Sequence, residues 1–133
     1  MIEFQNVSKM YVNDVYALYN VNFRIQNGEF VFVVGASGAG KTTLVKLLLK
    51  EIEPTAGSIF VDGVDITTLK RREIPYYRRK IGVVFQDFRL LSDKTAYENV
   101  AFAMEIIGAS RREIRRQVPA ALGLVGLGSK AHD

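Results

Sequence analysis

The sequence contains no cysteine and no tryptophan, and it has only three prolines and one histidine. Without cysteine the chain can form neither a disulfide nor a thiolate metal site, which agrees with a reducing compartment. No apolar run approaches the length of a membrane-spanning helix, and no signal-like segment precedes the first predicted strand, which we interpret as a cytoplasmic start. The one histidine, His132, lies in a polar tail and receives no functional assignment. These absences exclude a disulfide-stabilised secreted domain and a membrane-spanning domain.

The residues that are present have the composition of one globular domain. Hydrophobic residues make up 48% of the 133 residues and charged residues 24%, which suits a chain that buries a modest core. The net charge of +4 is mild. It permits an anionic ligand or an anionic membrane surface but identifies neither.

A phosphate-binding pattern lies near the middle of the N-terminal half. Residues Phe30–Val34 form a continuous apolar run, which predicts a short strand buried on both faces of a parallel sheet. Directly after it, Gly35–Thr42 reads GASGAGKT, with two glycines five positions apart followed by Lys and Thr. An ordinary glycine-rich turn is the alternative. The strand before, the helical pattern after and the Lys-Thr pair together favour the phosphate site.

The residue types of this loop explain its chemistry. Small residues let the backbone wrap around a diphosphate with several N–H groups pointing inward, and the helix that follows adds the positive end of its dipole. Lys41 would reach the β- and γ-phosphates as a point charge, and the Thr42 hydroxyl would ligate the Mg²⁺ that bridges them. The sequence therefore predicts a nucleotide triphosphate site.

The other predicted elements frame this loop. Residues 2–27 alternate as two or three antiparallel strands, and an Asp62-Gly63 turn predicts a hairpin. A second apolar run, Ile81–Phe85, predicts another buried strand, and it ends at Gln86, whose amide could reach a metal or its water at the carboxyl edge of the sheet. Helical spacing continues over Thr95–Ile107 and Arg111–Val125.

Two features stay ambiguous from the residues alone. Tyr11 could stack on adenine, but a surface tyrosine without a role is the better interpretation of its spacing. The stretch from Lys70 to Lys80 carries six cationic residues, and a solvated helix face is favoured over a surface for anionic lipid or nucleic acid.

The order of these motifs resembles the nucleotide-binding domain of ABC ATPases over the whole chain. More narrowly, REIPYYRRKIGVVFQDFRLL, TAYENVAFAMEIIGAS and REIRRQVPAAL are similar to the FtsE family of bacterial cell-division ATP-binding proteins. The resemblance implies an α/β P-loop NTPase fold of ABC type, with an antiparallel β start (1–28), a P-loop core with part of the parallel sheet (29–94) and the start of a helical subdomain (95–133). Lipoprotein-release and macrolide-export ATPases share much of the pattern and remain alternatives, as does, less favoured, a P-loop kinase.

The resemblance also implies roles for individual residues. Tyr11 would stack on adenine, and Gln86 would be the glutamine that contacts Mg²⁺ or the attacking water, acting in catalysis with Lys41. Thr42 and Gln86 would be the metal ligands. The residues implied to hold MgATP are Tyr11, Gly35, Ala36, Ser37, Gly38, Ala39, Gly40, Lys41, Thr42 and Thr43.

The partners follow from the same resemblance. Residues 87–91 and the helix Thr95–Ile107 would meet an FtsX-like membrane protein, so the chain would lie peripherally on the cytoplasmic side of the cell membrane. The full-length protein would form an ABC-type homodimer, with no specific nucleic acid. The chain departs from the family pattern because the signature helix, the Walker B strand, the catalytic Glu and the switch His do not occur in it. The fragment alone would therefore be inactive, with an exposed apolar sheet edge.

Overall fold

The computed structural model describes residues 1–35 and 39–133. They form two compact units, Met1–Ile81 and Gly82–Asp133, which are treated one at a time. The functional division predicted from the sequence, at residues 28 and 94, stays a prediction.

A four-stranded antiparallel sheet is the centre of the first unit. The strands are β1 (Ile2–Met10), β2 (Tyr16–Ile25), β3 (Ala56–Val61) and β4 (Val64–Asp65), in the order β2-β1-β3-β4. Alternation places Phe4 and Val7 of β1 on the buried face, where the ring of Phe4 stacks on Phe23 at 4.4 Å between centroids. The predicted antiparallel start is confirmed.

One helix, α1 (Ala39–Leu48), covers that face of the sheet. Its Leu47 is fully buried in the same apolar cluster as Phe4, Val7 and Ile59. The helix ends because Lys50 adopts a left-handed φ of 60°, while the Glu51 amide donates to the Lys46 carbonyl at 3.0 Å. This is the hydrogen-bond pattern of a Schellman motif.

A tight hairpin and a short helix complete the first unit. Asp62 and Gly63 have φ values of 50° and 81°, the left-handed pair that a two-residue turn between β3 and β4 requires. Two single turns of 3₁₀ helix follow, Ile66–Thr68 and Arg71–Glu73, and then helix α2 (Ile74–Arg78), with Pro75 in its first turn.

The second unit contains two packed helices, α3 (Ala96–Ile106) and α4 (Arg111–Leu124), and a final 3₁₀ turn, Gly128–Lys130. The Thr95 hydroxyl caps α3 and the Ser110 hydroxyl caps α4, each accepting from the amide three residues on. Their buried contact is made by Ala101, Ile114, Val118 and Leu122. Both helices lie within one residue of their predicted bounds.

The two parallel strands predicted from apolar runs are wrong for this structure. Neither Phe30–Val34 nor Ile81–Phe85 forms a strand. The first run is exposed throughout, with Phe30 84% accessible, whereas in the second run Val84 is 91% accessible but Ile81, Val83 and Phe85 are partly buried. A strand is defined by hydrogen bonds to neighbouring strands, and within residues 1–35 and 39–133 neither run has such a neighbour. Apolar composition alone therefore did not produce a parallel sheet.

Within the described part of the chain, no helix is both long and apolar enough to cross a membrane.

Candidate functional site

The predicted phosphate loop leads directly into helix α1. Gly40, Lys41 and Thr42 lie in its first turn, where backbone N–H groups have no partner inside the helix. That turn contains no acidic residue, so nothing there repels an anion. Three of the predicted phosphate-binding residues, Ala36, Ser37 and Gly38, lie outside the described residues, as does the side chain of Ala39.

The side chain of Lys41 reaches back across the loop. Its ammonium donates a hydrogen bond of 2.9 Å to the carbonyl oxygen of Gly35, at the start of the loop. Lys41 and Thr42 are both exposed. An ammonium group and an adjacent exposed hydroxyl at a helix N-terminus are suited to bind a phosphate and its metal ion.

A hydrogen bond joins the β1–β2 connection to this helix. The hydroxyl groups of Tyr11 and Thr43 lie 2.9 Å apart, although the residues are 32 positions apart in sequence. Thr43 is only 1% exposed, so its hydroxyl turns inward to Tyr11. The predicted role of Thr43 in holding phosphate stays a prediction, and the described contact is a structural one.

A cavity of about 480 Å³ opens beside this contact. It is lined by the β1–β2 connection, the start of β2 and the first turn of α1: Tyr11, Val12, Asn13, Val15, Tyr16, Ala17 and Gly40. Gly40 permits the close approach, because a Cβ there would lie 3.2 Å from the carbonyl oxygen of Ala17. Apolar walls with a few polar groups and a volume of this size are typical of small-molecule sites.

The cavity explains which part of the site sequence reasoning missed. Tyr11 and Gly40 were predicted site residues, but the other wall residues lie in the β1–β2 connection and at the start of β2 and carry no motif of their own. The ammonium of Lys9 lies 5.7 Å from the centre of the Tyr11 ring, a cation–π distance. The pairing of Met10 with Tyr16 and the 3.1 Å hydrogen bond from the Tyr11 amide to the Val15 carbonyl bring the two strand ends together.

Gln86, the other predicted metal ligand, belongs to the second unit. It is exposed and begins a turn over residues 86–89. The turn is closed by a 3.0 Å hydrogen bond from the Phe88 amide to the Phe85 carbonyl. Phe88 and Arg89 both have positive φ, at 61° and 46°, so the turn holds non-glycine residues in a left-handed conformation. The predicted contact of Gln86 with Mg²⁺ stays a prediction.

The described residues contain no cluster of ionisable metal ligands. Within residues 1–35 and 39–133 no group of three His, Cys, Asp or Glu side chains is placed to hold a metal ion. The exposed hydroxyl of Thr42 fits Mg²⁺, which takes few protein ligands and uses substrate phosphates for the others.

The second unit has a separate groove between α3 and α4. It has a volume of about 420 Å³. Its lining mixes apolar and charged side chains: Leu91, Lys94, Tyr97, Glu98, Ala101, Phe102, Glu105, Arg111, Ile114 and Arg115. The side chain of Asn99 fixes its entrance, accepting from the Leu91 amide at 2.8 Å and donating to the Leu91 carbonyl at 3.1 Å.

Comparison with known proteins gives the context of these sites. The family described as "ABC transporter" matches residues 18–133. The chain is 51% identical over 131 residues to the cell division ATP-binding protein FtsE of Bacillus subtilis and 53% identical to FtsE of Escherichia coli K12. Each alignment covers 98% of this chain but only 58–59% of the relative.

Solved structures of ATP-binding cassettes are also similar to this chain. A dimeric ATP-binding cassette in a post-hydrolysis state with ADP and Pi has a TM-score of 0.88 and 35% identity to this chain. The protein cbiO1 from Clostridium perfringens, part of the ABC transporter complex cbiONQ, has a TM-score of 0.84 and 29% identity. This chain covers 60% and 53% of those chains, so it spans little more than half of the proteins it matches.

Proposed function

The chain belongs to the ABC transporter family, and we propose that it is the ATP-binding N-terminal part of an FtsE-like subunit that acts in bacterial cell division. The main support for the proposal is the arrangement of side chains at the N-terminus of α1. Lys41 spans the loop to Gly35, and the Tyr11 cavity lies beside the same turn. The proposed phosphate site at Lys41 and the proposed base site in the Tyr11 cavity are therefore adjacent, as binding of a nucleoside triphosphate requires.

Each residue has a defined task in the proposed complex. The ammonium of Lys41 leaves the Gly35 carbonyl and pairs with the β- and γ-phosphate oxygens, while the first-turn amides of α1 bind the same phosphates. The ring of Tyr11 stacks on adenine, held in position by the Thr43 hydroxyl. The Thr42 hydroxyl would hold Mg²⁺, which would supply charge neutralisation at the phosphates. Gln86 orients the metal or the attacking water.

Hydrolysis belongs, in this proposal, to the whole protein. Phosphoryl transfer requires a positioned water and full stabilisation of the γ-phosphate charge. None of the residues proposed to hold MgATP is a carboxylate or a histidine that could act as the general base for the attacking water. We therefore propose that the 133-residue chain binds MgATP weakly or not at all and does not turn it over.

The membrane partner is proposed to dock in the α3–α4 groove. An FtsX-like protein would place apolar side chains against Phe102 and Leu91, and charged groups on the rim would set its orientation. The proposed location is then peripheral, on the cytoplasmic side of the cell membrane. The whole protein is proposed to dimerise, as the solved cassettes do.

A pair of lysine variants tests the proposal. Lys41→Ala should weaken binding of MgATP by about 10-fold to 100-fold, because it removes a charge-assisted hydrogen bond worth about 1.5–3 kcal/mol. Lys46→Ala, a charge-matched control on the same helix, should bind within about twofold of the parent chain. Equilibrium binding of a fluorescent ATP analogue measures both, in the 133-residue chain and in the whole protein.

The outcomes separate the parts of the proposal. Equal affinity of the Lys41 variant and its parent would contradict the phosphate site. Steady ATP hydrolysis by the purified 133-residue chain, abolished by Lys41→Ala, would contradict the assignment of catalysis to the whole protein.

A further inference from the structure

The positive charge of the chain is concentrated in residues 70–80. Six of these eleven residues are Lys or Arg and one, Glu73, is acidic. The rest of the chain contains twelve cationic and thirteen acidic residues, so it is close to neutral. The net charge of +4 is therefore a local property of this one segment.

The inner side of the segment is occupied by structural contacts. Tyr77 is buried, and its hydroxyl donates to the Leu48 carbonyl at the end of α1. Arg78 donates through Nε to the Leu49 carbonyl at 2.8 Å and through Nη2 to the Lys50 carbonyl at 3.1 Å. These bonds fix α2 against the C-terminus of α1, so Arg78 is already used in the fold.

The remaining five cations of the segment are exposed. We define the basic stripe as Arg72, Tyr76, Arg79 and Lys80, all of which are exposed, Tyr76 by 65%. The guanidinium of Arg79 lies 4.9 Å from the centre of the Tyr76 ring. Tyr76 in α2 and Arg79 and Lys80 in the turn that follows it are spaced i, i+3 and i+4, the spacing of side chains on one side of a helical turn.

The described part of the chain offers the three cations of the stripe no ion pair. Asp62 and Glu73 line the same cavity as Lys80, and Lys80 helps to lower the pKa of Asp62. Hydrogen bonding and attraction from the terminal ammonium of Met1, at 2.8 Å, are the larger causes. The stripe has three cations against these two carboxylates, and one of the two already pairs with Met1, so the stripe keeps a net positive charge.

A cavity with mixed walls borders the stripe. It has a volume of about 440 Å³ and lies between the β3–β4 hairpin and α2. Its apolar residues are Val61, Val64 and Leu69, of which Val64 is half-exposed, and Tyr76, Lys80, Asp62 and Glu73 also line it. Cations interleaved with an exposed tyrosine and apolar residues are typical of surfaces that meet a membrane–water interface, where Tyr is enriched.

We propose that the basic stripe docks on the anionic phospholipid headgroups of a membrane surface. The guanidinium groups of Arg72 and Arg79 pair with headgroup phosphates, Lys80 adds a point charge, and Tyr76 lies at the level of the headgroups. We choose a membrane over a nucleic acid as the binding partner because the proposed function places the chain beside a membrane protein. The clustering of positive charge on the stripe is observed independently of the proposed function.

Vesicle flotation through a density gradient, which separates vesicle-bound chain from any aggregate, tests the proposal. The 133-residue chain should bind vesicles of phosphatidylglycerol and phosphatidylcholine, should not bind pure phosphatidylcholine, and should be released by salt. The triple variant Arg72→Gln/Arg79→Gln/Lys80→Gln should bind about 100-fold more weakly, since each cation near such a surface contributes about fivefold.

A matched control separates local from overall charge. Arg112→Gln/Arg116→Gln/Lys130→Gln removes the same charge from exposed positions of the second unit and should lower binding much less. A third variant, Arg72→Lys/Arg79→Lys, keeps the charge and should bind like the parent, which shows that the sites tolerate substitution. Circular dichroism checks that every variant is folded.

Several results would overturn the proposal: no binding of the parent chain to anionic vesicles, an equal loss in the control, or tighter binding to duplex DNA or RNA than to the vesicles at the same salt. Affinity for the fluorescent ATP analogue is measured for the same variants in the whole protein, because the 133-residue chain is proposed to bind MgATP weakly or not at all. Loss of vesicle binding in the triple variant with unchanged nucleotide affinity is the expected result, whereas vesicle binding by a whole protein that does not bind nucleotide would contradict only the proposed function.

Discussion

At the scale of single residues, the shared hydrogen bond of Tyr11 and Thr43 gives Tyr11 two separable tasks. Its ring borders the cavity, while its hydroxyl is 2.9 Å from a threonine hydroxyl that is buried in the fold. Substitutions that remove the hydroxyl alone, or the whole ring, therefore distinguish stability from binding.

We expect Tyr11→Phe to lower the free energy of unfolding by about 1–2 kcal/mol, because the buried Thr43 hydroxyl loses its partner. Its affinity for an ATP analogue should change by less than about threefold. Tyr11→Ala should also lose stacking on the base, worth about 1–3 kcal/mol, and so bind about tenfold or more weakly. Urea unfolding and nucleotide titration measure the two effects. If the Phe variant bound as weakly as the Ala variant, stacking on Tyr11 would be refuted.

Because of Tyr77, the free energy of unfolding depends on pH in the alkaline range. Burial raises the pKa of its phenol to about 12, from an ordinary value of 10. The folded state thus holds the proton more tightly than the unfolded state. The protonated Tyr77 phenol therefore makes its full contribution to the free energy of unfolding below about pH 10, and this contribution is lost as the pH rises towards 12.

The free energy of unfolding should therefore fall between pH 10 and 12, and this fall should be smaller in Tyr77→Phe. At neutral pH the variant should be less stable by about 1 kcal/mol, because the Leu48 carbonyl loses its donor. Urea unfolding at a series of pH values gives the difference between parent and variant, which cancels the other tyrosines and lysines. Parallel pH profiles would show that Tyr77 is not the titrating group.

At the scale of elements, the pairing of β1 with β3 depends on one glycine. Gly57 has a φ of 90°, and a Cβ there would lie 2.3 Å from the Asn6 carbonyl oxygen. The pairing of the two strands is irregular at this point, between Gln5 and Ser8. Gly63, in the β3–β4 turn, has a similar φ of 81° but open space around it.

Gly57→Ala should consequently destabilise the chain by more than about 3 kcal/mol, since the left-handed backbone and a clash with main chain add together. Gly63→Ala should cost only about 1–2 kcal/mol, the cost of the backbone conformation alone. Thermal or urea unfolding compares the two. Similar losses for both would mean that the strands separate easily and that the contact at Gly57 is unimportant.

At the scale of the whole molecule, the two apolar runs contribute exposed apolar side chains to the surface. Phe30–Val34 and Val83–Phe85 have apolar side chains in contact with water. Such surfaces promote association when no partner covers them. We propose that further strands of the whole protein pair with them.

The 133-residue chain alone should bind a hydrophobic dye and aggregate at micromolar concentrations. Phe32→Asp/Val34→Asp should reduce the aggregated fraction severalfold, because charge on an exposed run opposes association. Val12→Asp, at an exposed position outside both runs, serves as the control and should have little effect. Light scattering at equal concentration measures this. A monomeric parent chain without dye binding would contradict the prediction.

The sequence by itself determined the features that depend on neighbours along the chain. Thr95 and Ser110 cap their helices, Asp62-Gly63 forms its turn and Lys41 lies in the first turn of α1, because capping, turn geometry and the loop pattern each involve residues a few positions apart. Predicted and observed helix bounds therefore agree closely.

Only the tertiary structure decided what depends on distant partners. Tyr11 meets Thr43 from 32 positions away, and Arg78 caps the end of α1 from 28 and 29 positions away, contacts that no local pattern encodes. The same reason explains why Phe30–Val34 was wrongly predicted as a strand. Its apolar residues indicate burial, but a strand exists only where another strand supplies the hydrogen bonds, and that partner is a property of the fold.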